Sequence, residues 1–187
     1  MKVVFADDEP LMLSRMIQSL EGLDPQFGPV EIVGEACDGK ELINIVELNG
    51  PVDLVITDMR MPVKDGLSAL VYLREKHKQT KVILLTSDAT SHTDFGESVE
   101  EMIENEKKFT MLEKIAARVR KGQPEPGKIN SILEGCEKLA LVPKDVAAFF
   151  GARGFVRKPF SAAKLNELLG LLGTSGSFID IDVHSDQ

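Results

Sequence analysis

Val52-Asp53-Leu54-Val55-Ile56-Thr57-Asp58-Met59-Arg60-Met61-Pro62-Val63-Lys64-Asp65-Gly66 is the stretch from which the fold is read. Its apolar run, Leu54 to Ile56, has strand length and no polar alternation, the pattern of a strand covered on both faces in a parallel sheet. The run closes on a carboxylate, Asp58. Pro62 and the Asp65-Gly66 pair then turn the chain before the next helical pattern. An acid at the carboxyl end of a central strand lies in the crevice where α/β sheets hold ligands. Taken alone, such an Asp is more often a solvated strand end or a helix cap, so its meaning depends on what the other strands bring beside it.

Toward the amino terminus, Lys2 to Ala6 is a β-branched and aromatic run that stops at Asp7-Asp8-Glu9-Pro10. Pro10 suits the first turn of a helix, whose apolar stripe runs from Leu11 through Met16, Ile17 and Leu20 to Gly22. Gly22 to Pro29 is a loop, Val30 to Ala36 a second strand, and Lys40 to Leu48 a helix ended by Asn49-Gly50-Pro51. Beyond the central stretch come a helix over Leu67 to His77 and a fourth strand over Lys81 to Leu85, ending in Thr86-Ser87-Asp88. A strand-like Gly154-Phe155-Val156 runs into Arg157-Lys158-Pro159-Phe160, and a last helix covers Ala162 to Leu172. Strands alternating with helices over short connections specify a parallel sheet with helices on both faces.

The 187 residues suit one domain, or one domain with an elaboration. A net charge of −8 argues against general nucleic-acid binding, because phosphate contacts need a basic face. Cys37 and Cys136 have no zinc-ligand spacing and no disulfide framework, so free thiols in a reducing cytosol are expected. His77, His92 and His184 form no metal-ligand grouping and read as solvated side chains. No signal peptide and no run of membrane-spanning length is recognised.

Parallel strands bring their carboxyl ends to one edge of the sheet. Asp7 and Asp8 end the first strand, Asp58 the third and Thr86 the fourth, while Lys158 follows the fifth. Three acids gathered there need a divalent cation, and hard oxygen donors suit magnesium. A lysine ammonium and a threonine hydroxyl aimed at the same point suit a phosphoryl group.

This constellation resembles the receiver domain of bacterial two-component response regulators, the CheY-like family. The resemblance covers residues 1–90 and 144–172, on four motifs in order: Asp7-Asp8, Asp58 to Gly66, Leu85-Thr86-Ser87, and Lys158-Pro159-Phe160. It implies a flavodoxin-like doubly wound sheet of five parallel strands in the order 2-1-3-4-5. By the same resemblance Asp58 accepts a phosphoryl group from a sensor histidine kinase or a phosphotransfer protein. Asp8 ligates Mg2+ directly, Asp7 does so through water, and the main-chain carbonyl of Arg60 joins them. Lys158 pairs with the phosphoryl oxygens, Thr86 hydrogen-bonds to them and moves when they arrive, and Phe155 is the switch aromatic that follows Thr86. The Lys158-Pro159 bond matches one that is cis in this family. Arg60 and Asp88 stand where the family tunes the lifetime of the phosphorylated state; one reading has them paired across the site against attacking water, the other leaves both as solvated charges.

The chain departs from the family between strands four and five, where residues 91–142 read as an inserted helical hairpin. A long helix is expected over Phe95 to Lys121, acidic at its start and basic at its end, then a second over Ile129 to Ala140 and a short one from Pro143 to Phe150. Three readings of the insert are open: a dimerisation or partner-docking arm, a structural cap, or a built-in phosphatase. Residues 173–187 read as a loosely held tail. The function expected is a cytoplasmic phosphoacceptor with no separate catalytic domain. It promotes its own phosphorylation and dephosphorylation and controls a downstream protein target, with no DNA and no membrane partner. The alternative is a scaffold in which the receiver regulates homodimer assembly through the insert.

Overall fold

Three strand runs, Val3–Ala6, Leu54–Ile56 and Val82–Leu85, are apolar on both sides, and that dictates a layered arrangement. In the computed structural model, which describes residues 1–87, 147–148, 150–174 and 179–181, the sheet runs through the middle and helices cover both faces. The elements are β1 (Lys2–Ala6), α1 (Pro10–Ser19), β2 (Glu31–Ala36), α2 (Gly39–Asn49), β3 (Leu54–Asp58), α3 (Gly66–Lys76), β4 (Lys81–Thr86), β5 (Gly154–Arg157), α4 (Ala162–Thr174) and β6 (Ile179–Ile181). Every recorded strand pairing is parallel, and the order is β2-β1-β3-β4-β5-β6. The five strands and the order expected from the sequence are therefore present, flavodoxin-like as the resemblance implied.

Alternation along each strand sorts the core into two layers. Val4, Ala6, Val55, Val82 and Leu84 face Leu42, Val46, Leu70 and Leu73 of α2 and α3. Val3, Phe5, Leu54, Ile56, Ile83 and Leu85 face Met12 and Met16 of α1 and Leu165 and Leu168 of α4. Burying each of these side chains stabilises the fold by roughly 1.5–3 kcal/mol relative to leaving it in water.

Local chemistry starts and stops the helices. Pro10 opens α1 with its fixed φ. The Asp38 side chain accepts from the backbone N–H groups of Lys40 and Glu41 and so caps α2. Gly50, at φ 72°, ends that helix in a conformation that costs a side-chain-bearing residue energy. Asp65 accepts from the Ser68 N–H at 2.7 Å and caps α3. In a parallel sheet every strand-to-helix turn falls at the same edge, where β1, β3, β4 and β5 end.

The sequence reading is corrected at the carboxyl end. Within the expected loose tail, Ile179–Ile181 forms β6, paired with β5 in the register Gly154↔Ile179, Phe155↔Asp180 and Val156↔Ile181. Ile179 is buried among the side chains of the α1/α4 layer, and its N–H donates to the Arg153 carbonyl. An apolar residue beside the open edge of β5 gains both burial and ladder hydrogen bonds, which a solvated tail lacks. The insert at residues 91–142, with both of its expected helices, lies outside the described residues. Of the short helix expected up to Phe150, Ala147 and Ala148 are helical and Phe150 lies in a turn. Among the described residues no helix is long and apolar enough to cross a membrane.

Candidate functional site

Asp7 begins where β1 ends, and its backbone N–H still donates to the Ala36 carbonyl at 3.0 Å, so the ladder fixes its position. Asp58 is the last residue of β3, and the next N–H, that of Met59, donates to Leu85 of β4 at 2.9 Å. Lys158 follows β5, and its N–H donates to the Thr86 carbonyl at 2.8 Å. Three strands thus hold three charged side chains by their backbones before any side-chain contact is made. The loop after Asp58 folds back tightly: Gly66 N–H donates to Met59 at 3.1 Å, and a Cβ on Gly66 would collide with the Asp58 carbonyl oxygen. Glycine is required there for close approach of two backbones.

The side chains converge. Lys158 Nζ lies 2.7 Å from Asp7 Oδ2 and 3.1 Å from Asp58 Oδ2. All three are nearly out of solvent, with side-chain exposures of 6%, 0% and 10% for Lys158, Asp7 and Asp58. The Lys158–Asp7 contact is a charge pairing and not an aligned hydrogen bond, since neither Asp7 Oδ2 nor Lys158 Nζ has a hydrogen-bond partner of good geometry. Asp7 Oδ1 is taken by the Glu9 N–H at 3.0 Å.

Burial pushes the Asp58 carboxyl above the ordinary carboxylate range, and the Asp7 charge pushes the same way; Lys158 and the Arg60 N–H pull it back only in part. For Lys158, burial favours the neutral amine, but Asp7 and Asp58 together outweigh burial and hold the ammonium.

A metal site is legible in the same residues. Asp7, Asp8 and Asp58 each offer a carboxylate oxygen, and the three oxygens lie within 4.8 Å of one another. Asp8 is exposed while the other two are buried, so the cluster opens to water on one side. The donor set is hard oxygen, and the buried Asp7 Oδ2 has no hydrogen-bond donor, so these residues fit a divalent cation.

The other residues named from the sequence fall as follows. Thr86 ends β4 with 5% exposure. Phe155, 6% exposed, sits in the α2/α3 layer opposite Leu84 of β4. Strand alternation therefore turns Thr86 to the same face as Phe155. Arg60 is exposed at the rim. Asp88, its suggested partner, lies outside the described residues, as do Cys136, His92 and His184. Cys37 is a free, exposed thiol. His77 is not simply solvated: its Nε2 lies 2.9 Å from Glu47 Oε1, to which the Tyr72 hydroxyl also donates at 2.9 Å. The Lys158–Pro159 peptide is cis.

Sequence reasoning missed Lys164. Its Nζ donates to the carbonyls of Arg157 at 2.8 Å and Pro159 at 3.0 Å, on either side of Lys158 in the chain. The signal was available: Lys164, Leu168 and Leu172 recur at helical spacing, so a lysine stands in the apolar stripe of α4.

Comparison with known proteins agrees with this geometry. The family model described as response regulator receiver domain matches residues 3–108. Among curated proteins, the transcriptional regulatory protein PdtaR of Mycobacterium tuberculosis (strain H37Rv) is 39% identical over 85 residues, 44% of this chain and 38% of PdtaR. The chain thus spans well under half the length of that relative. The transcriptional regulatory protein RcsB of Escherichia coli K12 is 30% identical over 181 residues, 89% of this chain and 80% of RcsB. A solved structure of two RcsB dimers bound to two parallel DNAs superimposes with a TM-score of 0.54 at 22% identity, covering 96% of this chain and 63% of that one.

These relatives overturn the partner expectation of no DNA. Proteins named as transcriptional regulators share this domain, and one of them is solved on DNA. The physical reason is that net charge describes only the surface it is summed over, and most of PdtaR lies beyond the matched region. With a family model matching more than half of its length and converging acids and lysine at the strand ends, the chain belongs to the response regulator receiver domain family.

Proposed function

We propose that this domain is a phosphorylation-controlled switch in which Asp58 accepts a phosphoryl group from the phosphohistidine of a sensor kinase. The observation that carries the reading is the placement of one buried ammonium, Lys158 Nζ, 3.1 Å from Asp58 Oδ2 and 2.7 Å from Asp7 Oδ2. In the transfer, an Asp58 carboxylate oxygen forms a bond to phosphorus as the phosphorus–nitrogen bond of the donor breaks. The electron pair stays on the imidazole, which takes up a proton from water. Such a reaction asks the protein for alignment and charge neutralisation more than for covalent help.

Asp58 supplies the nucleophile, held in line by β3 and by the tight turn at Gly66. Lys158 faces the oxygens of the incoming group and neutralises charge as it builds. Asp7, Asp8 and Asp58, with the Arg60 carbonyl, would hold Mg2+. Bound there, the ion would supply further neutralisation of the phosphoryl oxygens. Thr86 would then donate to a phosphoryl oxygen, and its movement would open space on the face it shares with Phe155. The downstream effect is transcriptional, by likeness to the regulators whose domain this is, and it takes place in the cytoplasm.

The test is incubation of the full chain with acetyl phosphate and Mg2+, followed by intact mass measurement. A single phosphoryl adduct is expected, absent from Asp58→Asn and strongly reduced in Lys158→Ala. A folded wild-type protein that gains no adduct would overturn the reading.

A further inference from the structure

Lys164 carries a cost that its neighbours do not. It is only 5% exposed, on the stripe of α4 otherwise filled by Leu165, Leu168, Leu169 and Leu172. It also lies in the first turn of that helix, where the backbone dipole is positive and disfavours an ammonium. A long cationic side chain in that position normally extends its head to water. Here the head turns inward to two backbone carbonyls, those of Arg157 and Pro159.

The location of those carbonyls gives the cost a purpose. Arg157 ends β5, Pro159 begins the connection to α4, and Lys158 stands between them. The Lys158 N–H is tied to the Thr86 carbonyl at 2.8 Å. With Lys164 gripping the backbone on both sides, Lys158 has little freedom in its main chain. Its side chain is then projected from a fixed base toward Asp7 and Asp58. Without that base, a flexible four-carbon stem has to find the geometry by itself, and a lysine head is a point charge with no directional fork to guide it.

We propose that Lys164 is a positioning residue for phosphoryl acceptance, acting through Lys158 by clamping the Arg157 and Pro159 carbonyls. The inference rests on the reading of Asp58 as phosphoacceptor. Displacement of a catalytic group by an ångström from a distance is enough to cost a large factor in rate. Lys164→Met keeps the length and apolar stem and removes the donor. Lys164→Arg keeps donors able to reach two acceptors.

The experiment measures the rate of adduct formation with acetyl phosphate and saturating Mg2+ for wild type, Lys164→Met, Lys164→Arg, Lys158→Ala and the Lys158→Ala/Lys164→Met double variant. Thermal unfolding is recorded for each. Lys164→Met is expected to slow labelling roughly ten- to hundredfold at a temperature where it is fully folded. Lys164→Arg restores most of the rate. In the Lys158→Ala background, where there is no ammonium left to position, Lys164→Met changes the rate by less than roughly twofold. A role confined to stability would instead slow both backgrounds alike, and that additive result overturns the proposal. So does wild-type labelling by folded Lys164→Met. If Lys164→Met does not fold, Lys164→Gln is read by the same criteria. A wild type that is never labelled brings down the phosphoacceptor reading itself, an outcome distinct from a labelled wild type matched by its Lys164 variants.

Discussion

At the scale of single residues, strain and burial cluster on the loop between Asp58 and α3. Val63 has φ 61°, in the left-handed region, and is 55% exposed, so its side chain gains little from packing. A β-branched residue there costs roughly 1–2 kcal/mol in backbone strain. Val63→Asn is therefore expected to raise stability by about 1 kcal/mol, measured by urea unfolding. Asp65, two residues on, pays for its cap with burial. Burial pushes its carboxyl above the ordinary range, against the pull of the Ser68 N–H. A raised folded value means that the folded state binds the proton first as pH falls. Stability therefore declines as pH rises from the ordinary carboxylate range through the raised value. Asp65→Asn keeps a capping oxygen and should abolish that decline, whereas Asp65→Ala loses the cap and about 1 kcal/mol at neutral pH. A pH series of urea midpoints for the three proteins separates the two effects. The acids, Thr86 and Lys158 were legible in the sequence because each follows an apolar run. Val63 was not, because a positive φ is imposed by the closure of the loop and leaves no mark in residue type.

At the scale of elements, long apolar runs and caps were readable because several local signals agree: Asp38 before α2, Asp65-Gly66 before α3, Pro10 opening α1. The strand β6 was not readable. Three residues are too few for a period, and Ile179 becomes a strand residue only because the edge of β5 is there to pair with. That origin predicts its energetics. A short terminal strand can detach without unfolding the sheet, so Ile179→Ala costs no more than the docking of β6, expected at about 1–2 kcal/mol. Ile83, buried in the middle of β4, cannot escape in this way, and Ile83→Ala is expected to cost roughly 2–5 kcal/mol. Hydrogen exchange reads the difference directly. In Ile179→Ala the Ile179 amide, which donates to Arg153 in the native ladder, should lose protection while β4 amides keep theirs. Equal loss in both strands would mean that β6 is part of the cooperative sheet.

At the scale of the whole molecule, the sheet gathers like charges that the fold would not choose for stability. Parallel topology delivers Asp7, Asp8 and Asp58 to one edge, and among the described residues one lysine, Lys158, lies against two of them. Like charges this close disfavour one another, and the buried pair is further penalised by desolvation. The Lys158 pairings offset part of that repulsion, and the two apolar layers that anchor β1, β3 and β5 hold the cluster in place. Two opposite outcomes follow for one substitution. Without divalent ions, Asp58→Asn removes one of the crowded charges and leaves Lys158 paired with Asp7, so its melting temperature should lie above that of wild type. Added Mg2+ should raise the wild-type melting temperature, its unfolding free energy growing with the logarithm of the ion concentration to about 2.7 kcal/mol of added stability at a hundredfold excess over the dissociation constant. The same addition should leave Asp58→Asn nearly unmoved, so that the order of the two proteins narrows or reverses as the ion is titrated in. Calcium, which accepts the same oxygen donors at longer distances, should act in the same direction. A monovalent salt at matched ionic strength should not, because screening acts on the whole acidic surface and not on one trio of oxygens. A wild type indifferent to divalent ions would mean that the three carboxylates tolerate one another through Lys158 and solvent alone.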